Sequence, residues 1–428
     1  MLDFLNNRWV RMAAIRASAV GVALWLQIWL VAAFGSAVYG DYIFFVTLCS
    51  LVTTISKGGL DTLALKAAAI AKSGTNNAPV FDALRSGYLA KGVMLTSASC
   101  LGLWLLYALA TSWRLPNIPT VNWWWVYATS LGMVIFQILI AAMRGLDRPA
   151  LADAFDAIVR NALMALVALL LVSAQYLNAE SVMASFAFSF YAASLMLLML
   201  TPSHQSNAAV EQAEVESYGA KAHFGFMLSG LLSYVFFQMD TLILGAYVSA
   251  TELGAYNMAC NLVRAVIFIP MIVVVLVQPR IAVAFAKSDM RGVARIATVG
   301  VGVSFLAASL CSGVLWMLGG FVLTWIDPVF VMAQDAMLLL SLAHIINAVL
   351  MVVGGVVSMT HRYLDVVKAQ LMGGTATLIL YGLLIPHQGQ IGAATAMFAG
   401  LVIVLLCYLV MYRKFLVPVY GFLLPQAK

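Results

Sequence analysis

Residues 238–280 read QMDTLILGAYVSATELGAYNMACNLVRAVIFIPMIVVVLVQPR. The stretch is apolar enough to lie in a membrane, yet Asp240 and Arg264 sit well inside it. A charge at bilayer depth costs several kcal/mol, so it faces a partner or a watery cavity. Asn257, Asn261 and Arg264 are spaced i, i+4, i+7 and therefore share one helical face. Gln238 and Tyr234 fall near the helical turn that carries Asp240. Pro270 and Pro279 each free a backbone carbonyl and mark possible bends.

The rest of the chain has the same character. It has 428 residues, 64% hydrophobic and 9% charged, with a mean hydropathy of +0.99. A soluble domain carries about 25% charged residues. Apolar runs of about 20 residues, each long enough to span a bilayer, predict about twelve helices. They are expected near 15–37, 42–65, 91–111, 122–143, 157–177, 181–200, 224–247, 254–278, 296–318, 335–357, 369–386 and 391–411. An N-terminal signal peptide is the other reading of Arg8, Arg11, Arg16 and the apolar run after them. That run is too long for one, so it is taken as the first membrane helix.

Alternate connections differ in charge. One set carries Arg8, Arg11, Lys66, Lys72, Arg85, Arg144, Arg148 and the basic residues of the later loops from Lys221 to Lys414. The other carries essentially only Arg114. The positive-inside rule then puts both termini in the cytoplasm. Trp113, Trp123, Trp124, Trp125, Trp316 and Trp325 gather on the opposite side, as an interfacial aromatic belt does. The net charge of +6 reflects this topology rather than an acidic partner.

The chain also repeats itself. VYGDYIFF at 38–45 resembles ELGAYNMA at 252–259, with Gly40 over Gly254 and Tyr42 over Tyr256. The same register sets Lys66 over Arg280. One inserted residue then aligns Ala71-Lys72-Ser73 with Ala286-Lys287-Ser288. Six helices per half is an even number, so both halves insert the same way up, related by an axis along the membrane normal. The expected division is an N-terminal lobe over 1–200, a cytoplasmic linker over 201–223 and a C-terminal lobe over 224–428.

Each polar constellation has a bland and a functional reading. Asp240 and Arg264 form an ion pair that locks two helices, or else Arg264 lines a cavity and attracts an anion while Asp240 tunes it or takes up a cation. The asparagine stripe favours the cavity, because an ion pair alone needs no amides. Lys57 and Asp61 are spaced i, i+4 around Gly58-Gly59, which weakens the helix between them. Lys57 either snorkels to the cytoplasmic interface or offers a basic site to a headgroup, and Arg16 has the same ambiguity. His344 is expected to be neutral and bonded to a neighbouring helix, with a proton relay as the functional alternative. The five cysteines, all in apolar runs, lack metal-ligand or disulfide spacing. No phosphate-binding loop, zinc motif, nucleophile elbow or dinucleotide fingerprint is present. No catalytic residue, metal or cofactor is therefore expected, and dispersed basic residues speak against nucleic acid.

The run Asp240-Thr-Leu-Ile-Leu-Gly245, then Glu252-Leu-Gly-Ala-Tyr256-Asn-Met-Ala259, Leu262 and Pro279, resembles the seventh and eighth helices of polysaccharide flippases. These are Wzx-like, MATE-related members of the multidrug/oligosaccharidyl-lipid/polysaccharide exporter superfamily. Tyr39-Gly40-Asp41-Tyr42, Gly58-Gly59-Leu60 and Gly389-Gln-Ile-Gly392-Ala-Ala394 fit the same pattern, so the resemblance spans essentially the whole chain. It implies a two-lobed, all-α membrane bundle that alternates access. Its cargo would be an undecaprenyl-diphosphate-linked oligosaccharide of O-antigen, capsule or another exopolysaccharide. The bundle would move it across the bacterial inner membrane, in contact with membrane lipids and with polymerase or export machinery. By analogy with lipid II flippases, Arg264 and Lys57 would hold the diphosphate, with Asn257, Asn261 and Gln238 assisting. Asp240 would serve a proton or sodium gradient. Lipid II flippases commonly have fourteen helices, which makes lipid II the less fitting cargo.

Three rival readings remain. A MATE-like drug antiporter shares the architecture but would favour acids and aromatics in its cavity. A membrane glycosyltransferase or polymerase would need a large loop with catalytic carboxylates, and the outer loops are short. A scaffold protein would not need a charged interior stripe.

Overall fold

The computed structural model describes residues 8–73, 88–112, 121–200, 220–359 and 363–423. The expected linker up to residue 219, the loop around Arg85 that is expected to be cytoplasmic, Trp113 and Arg114 lie outside these, as do the side chains of Arg8, Arg11, Arg16 and Lys66. Among the described residues every regular element is helical. Nine helices among the described residues are long and apolar enough to cross a membrane, and the segmentation is consistent with the twelve expected.

The N-terminal half contains α1 (Arg8–Phe34), α2 (Ser36–Lys57), α3 (Leu60–Ser73), α4 (Leu89–Ser112) and α5 (Trp123–Gly145). Next comes α6 (Pro149–Ala154), which runs through a π turn at Phe155–Val159 into α7 (Arg160–Ser173), and then α8 (Ala179–Leu200). The C-terminal half contains α9 (Ala220–Phe237), α10 (Met239–Leu244) and α11 (Ala250–Val263), followed by a 3-10 turn at Arg264–Ile267. Beyond it lie α12 (Phe268–Ala286), α13 (Met290–Ile326), a 3-10 turn at Pro328–Ala333, α14 (Gln334–Met359) and α15 (Tyr363–Leu423).

Several boundaries differ from the sequence expectation, each for a local reason. The helix expected at 42–65 is two helices, because Gly58 and Gly59 adopt φ of 44° and 89°. Glycine enters that left-handed region without a Cβ clash. The first break falls at Gly35, with φ 87°, so VYGDYIFF lies inside α2 rather than ahead of it. The helix expected from 157 begins at Pro149, whose fixed φ and missing N–H suit a first helical position. The helix expected at 224–247 is interrupted at Gln238, with φ −144° and ψ −25°. The last two expected helices meet at Gly389, with φ 52° and ψ −126°.

The chain divides into two compact units, Met1–Tyr234 with Ser249–Thr251, and Val235–Val248 with Glu252–Lys428. In the first, α5 packs against α3 and α8, and α8 packs against α7. Leu60, Leu63, Ala64 and Ala68 of α3 bury one apolar face against Val134, Ile138 and Ala142 of α5, where small residues let the helices approach closely. In the second, α14 is the central element and packs against α12, α13 and α15.

Candidate functional site

The C-terminal unit contains a cavity of about 220 Å³ whose polar lining is Gln238, Asp240, Arg264 and His344. Apolar side chains, Phe237, Ile267, Leu340 and Met397 among them, close the rest. Two local departures from helix set the polar groups there. The first is the break at Gln238, which opens α10. One Asp240 carboxylate oxygen accepts from the Thr241 backbone N–H at 2.7 Å and from Thr241 Oγ1 at 3.3 Å. It thereby satisfies a first-turn donor that has no partner inside the helix. The second is Pro270. It has no N–H to offer the carbonyl of Val266, and its ring crowds that carbonyl, so the preceding turn tightens to 3-10 over Arg264–Ile267. Arg264 stands at the start of that turn and is exposed.

Asp240 is 2% exposed. Its second oxygen accepts from Tyr256 Oη at 2.7 Å. Among the described residues no ion pair joins Asp240 to Arg264, so the ion-pair reading is not what the structure contains. The buried carboxylate is satisfied by neutral donors on its own helix and on α11. Tyr256, unassigned in the sequence reading, is thus an intrinsic part of this site. Its signals in the sequence are its place over Tyr42 in the internal repeat and its place in the run Glu252–Ala259.

The predicted asparagine stripe forms a hydrogen-bonded chain. Asn261 Nδ2 donates to Asn257 Oδ1 at 2.8 Å, and Arg264 Nη1 donates to Asn261 Oδ1 at 2.9 Å. Asn257 and Asn261 are not among the residues lining the cavity; Asn261 holds the guanidinium with a neutral acceptor, and Asn257 holds Asn261. The arginine's direction is thus set by an amide, and among the described residues it forms no ion pair.

His344 is 6% exposed, and among the described residues its buried Nδ1 has no hydrogen-bond partner, so the expected bond to a neighbouring helix is not found there. The ring meets Phe237 edge-on at 6.4 Å between centroids and faces the cavity.

The remaining predicted residues are not among those lining this cavity. Tyr234 Oη donates to the Thr47 carbonyl at 2.7 Å, which commits it to packing within the N-terminal unit. Lys57, also in that unit, pairs through Nζ with Asp61 Oδ2 at 2.9 Å, and both side chains are 27% exposed. The site the structure assembles is therefore Gln238, Asp240, Arg264 and His344, with Tyr256, Asn257 and Asn261 holding two of them. It presents the Arg264 guanidinium, which has no ion pair among the described residues, and the His344 ring to a small, largely apolar space.

No family model and no curated protein matches the sequence. Solved structures do match in fold. The lipid II flippase MurJ in its inward closed conformation superposes with a TM-score of 0.72 at 12% identity, covering 94% of this chain and 87% of that one. An inward-facing multidrug resistance MATE family transporter of the MOP superfamily gives 0.67 at 11% identity, with 96% and 99% covered. A MOP superfamily transporter from Pyrococcus furiosus, with a binding pocket of reverse polarity, gives 0.61 at 10% identity, with 95% of each chain covered. At these identities the likeness shows the fold, which is that of the MurJ and MATE proteins.

Proposed function

We propose that the protein is a flippase. Its cargo is an undecaprenyl-diphosphate-linked oligosaccharide, which it carries across the bacterial inner membrane by alternating access, with both termini in the cytoplasm. The observation that carries this reading is Arg264, an intramembrane guanidinium at a cavity, held by the amide of Asn261 and not by an acid. A charge kept in an apolar bundle without a carboxylate partner has its use in an anion that arrives, and a guanidinium binds phosphate oxygens through paired charge-assisted hydrogen bonds. The cavity admits a headgroup fragment but not an oligosaccharide, so sugars and lipid tail extend beyond it. No bond is made or broken in such a step. Directionality would come from a proton or sodium gradient acting at Asp240, the carboxylate of the same cavity.

The test is Arg264→Ala beside Arg264→Lys in cells that depend on the protein, at matched membrane abundance. Lipid-linked oligosaccharide should accumulate on the cytoplasmic side with alanine and much less with lysine. Normal flux in both would remove Arg264 from the mechanism. A second reading, a cation-coupled drug antiporter, is favoured by one observation: the likeness to MATE structures covers 96% of this chain and 99% of the matched transporter. Saturable binding of a lipophilic cation, lost in Asp240→Asn and indifferent to Arg264→Ala, would select it.

A further inference from the structure

Arg160 belongs to the N-terminal unit and has no part in the cavity described above. The fifth helix was expected to start near 157, which would set Arg160 in a first turn at the membrane surface. Starting instead at Pro149, it carries Arg160 about three turns in. Just before Arg160 the helix widens into the π turn Phe155–Val159, a local distortion that recurs at functional sites. The guanidinium carbon lies 4.9 Å from the Phe190 ring centroid and 5.9 Å from that of Phe186. Those rings are buried and meet edge-to-face at 5.0 Å, with Phe136 against Phe190 and Tyr42 against Phe186, both at 5.6 Å. Arg160 thus points into the bundle.

One edge of the guanidinium is used: Nε donates to the Asp156 carbonyl at 3.2 Å. Among the described residues Nη1 and Nη2 have no hydrogen bond and no ion pair, and the side chain is only half-buried. The charged groups around it are already engaged. Asp156, one turn back, pairs with Arg144 Nη2 at 3.7 Å, and Asp153 accepts from the same nitrogen at 3.0 Å. An aromatic shelf fixes the plane of the guanidinium, the carbonyl fixes its rotation, and the outer fork of N–H donors is left without an acceptor. A planar fork of this kind matches two oxygens of one oxyanion. In a membrane the oxyanions at hand are phosphate esters.

We propose that Arg160 is a second oxyanion-binding residue of this chain, taking two oxygens of a phosphate ester through Nη1 and Nη2 on the shelf formed by Phe186 and Phe190. The choice of phosphate rests on the flippase reading; the oriented, unpartnered fork does not. The phosphate can belong to a prenyl-diphosphate cargo or to a bulk phospholipid headgroup.

The experiment uses the purified full-length protein in an uncharged detergent. Affinity is measured for geranyl diphosphate, for short-chain phosphatidylglycerol and for uncharged geraniol, in the unaltered protein and in Arg160→Gln, Arg160→Lys, Phe190→Leu and Arg264→Ala, with thermal unfolding as the check on folding. Arg160→Gln should weaken binding of one phosphate probe about tenfold or more, the size expected when hydrogen bonds to a charged group are lost. Arg160→Lys and Phe190→Leu, which keep the charge but lose the fork or the shelf, should each weaken it several-fold, and geraniol should respond to none of them. Loss confined to geranyl diphosphate identifies a diphosphate cargo group; loss confined to phosphatidylglycerol identifies a bulk headgroup. No binding of either phosphate by the unaltered protein, or unchanged affinity for both in folded Arg160→Gln, overturns the proposal. Should Arg160→Gln fail to fold, unchanged affinity in both Arg160→Lys and Phe190→Leu overturns it. Normal cargo flux in Arg264→Ala with the Arg160 effect intact would count against the flippase reading and leave this one standing.

Discussion

The same broken helix occurs twice in the chain, and the two copies treat their charge differently. Ser36 opens α2 and Ala250 opens α11, each four residues before the glycine of the internal repeat, Gly40 or Gly254. The segments end at Ser73 and Ala286. Both are interrupted within, one by two glycines of positive φ and the other by the 3-10 turn that Pro270 imposes. Each carries a cation at its break. Lys57, the last residue before the glycines, is neutralised by Asp61; Arg264, the first residue of the 3-10 turn, is held by an amide. With Gly40 set over Gly254, Arg264 falls over Ser50 and Lys57 over Met271, so neither cation replaces the other. A break gives a charge its position, and the partner decides whether that charge is left for a ligand.

The sharpest way to break this contrast is to make the second copy resemble the first. Asn261→Asp gives Arg264 a carboxylate where it now has an amide. Cargo transport should fall by about 10- to 100-fold, the scale of losing the arginine's hydrogen bonds to an anion, with thermal stability unchanged or raised. Retained transport would mean that a free charge at position 264 is not required.

A second prediction concerns the other charge of the cavity. Tyr256→Phe takes one of three hydrogen bonds from the buried Asp240 carboxylate. The unfolding midpoint in detergent should drop in keeping with a loss of about 1.5–3 kcal/mol. An unchanged midpoint would mean that the carboxylate finds another donor.

Smaller effects are expected in the first copy. Gly59→Ala forces a Cβ into φ 89°, costing about 1–3 kcal/mol of stability. The Lys57–Asp61 pair is about a quarter open to its surroundings, and a double-mutant cycle with Lys57→Met and Asp61→Leu should give a coupling of only about 0.2–1 kcal/mol. A larger coupling, with lost transport in Lys57→Met, would make Lys57 a cargo-binding group.

What the sequence makes legible follows from which interactions are local. Helix type is plain because apolar runs of spanning length leave few alternatives, and the Asn257–Asn261–Arg264 chain follows from helical spacing alone. Gly58-Gly59 is visible as a weak point. Pro270 is visible as a bend, although the distortion falls on the turn before it, where the missing N–H leaves Val266 without its bond. Partners across helices are another matter. Asp240 bonds to Tyr256 rather than Arg264, and His344 faces a cavity rather than a neighbouring helix, because depth and rotation are fixed by packing that no spacing records. Arg160 reads as a first-turn residue when its helix is started near 157, and the Asp147-Arg148-Pro149 turn, with proline at the first helical position, is the signal that sets it deeper.

In the proposed function Arg264, an arginine held by an amide beside a small cavity, holds the anionic head of a lipid-linked cargo. The most direct measurement is translocation of a fluorescent prenyl-diphosphate-linked saccharide in proteoliposomes containing the unaltered protein, Arg264→Ala or Arg264→Lys. Transport by the unaltered protein, about 10- to 100-fold less with alanine and an intermediate rate with lysine is the expected result. Equal rates in all three would contradict it.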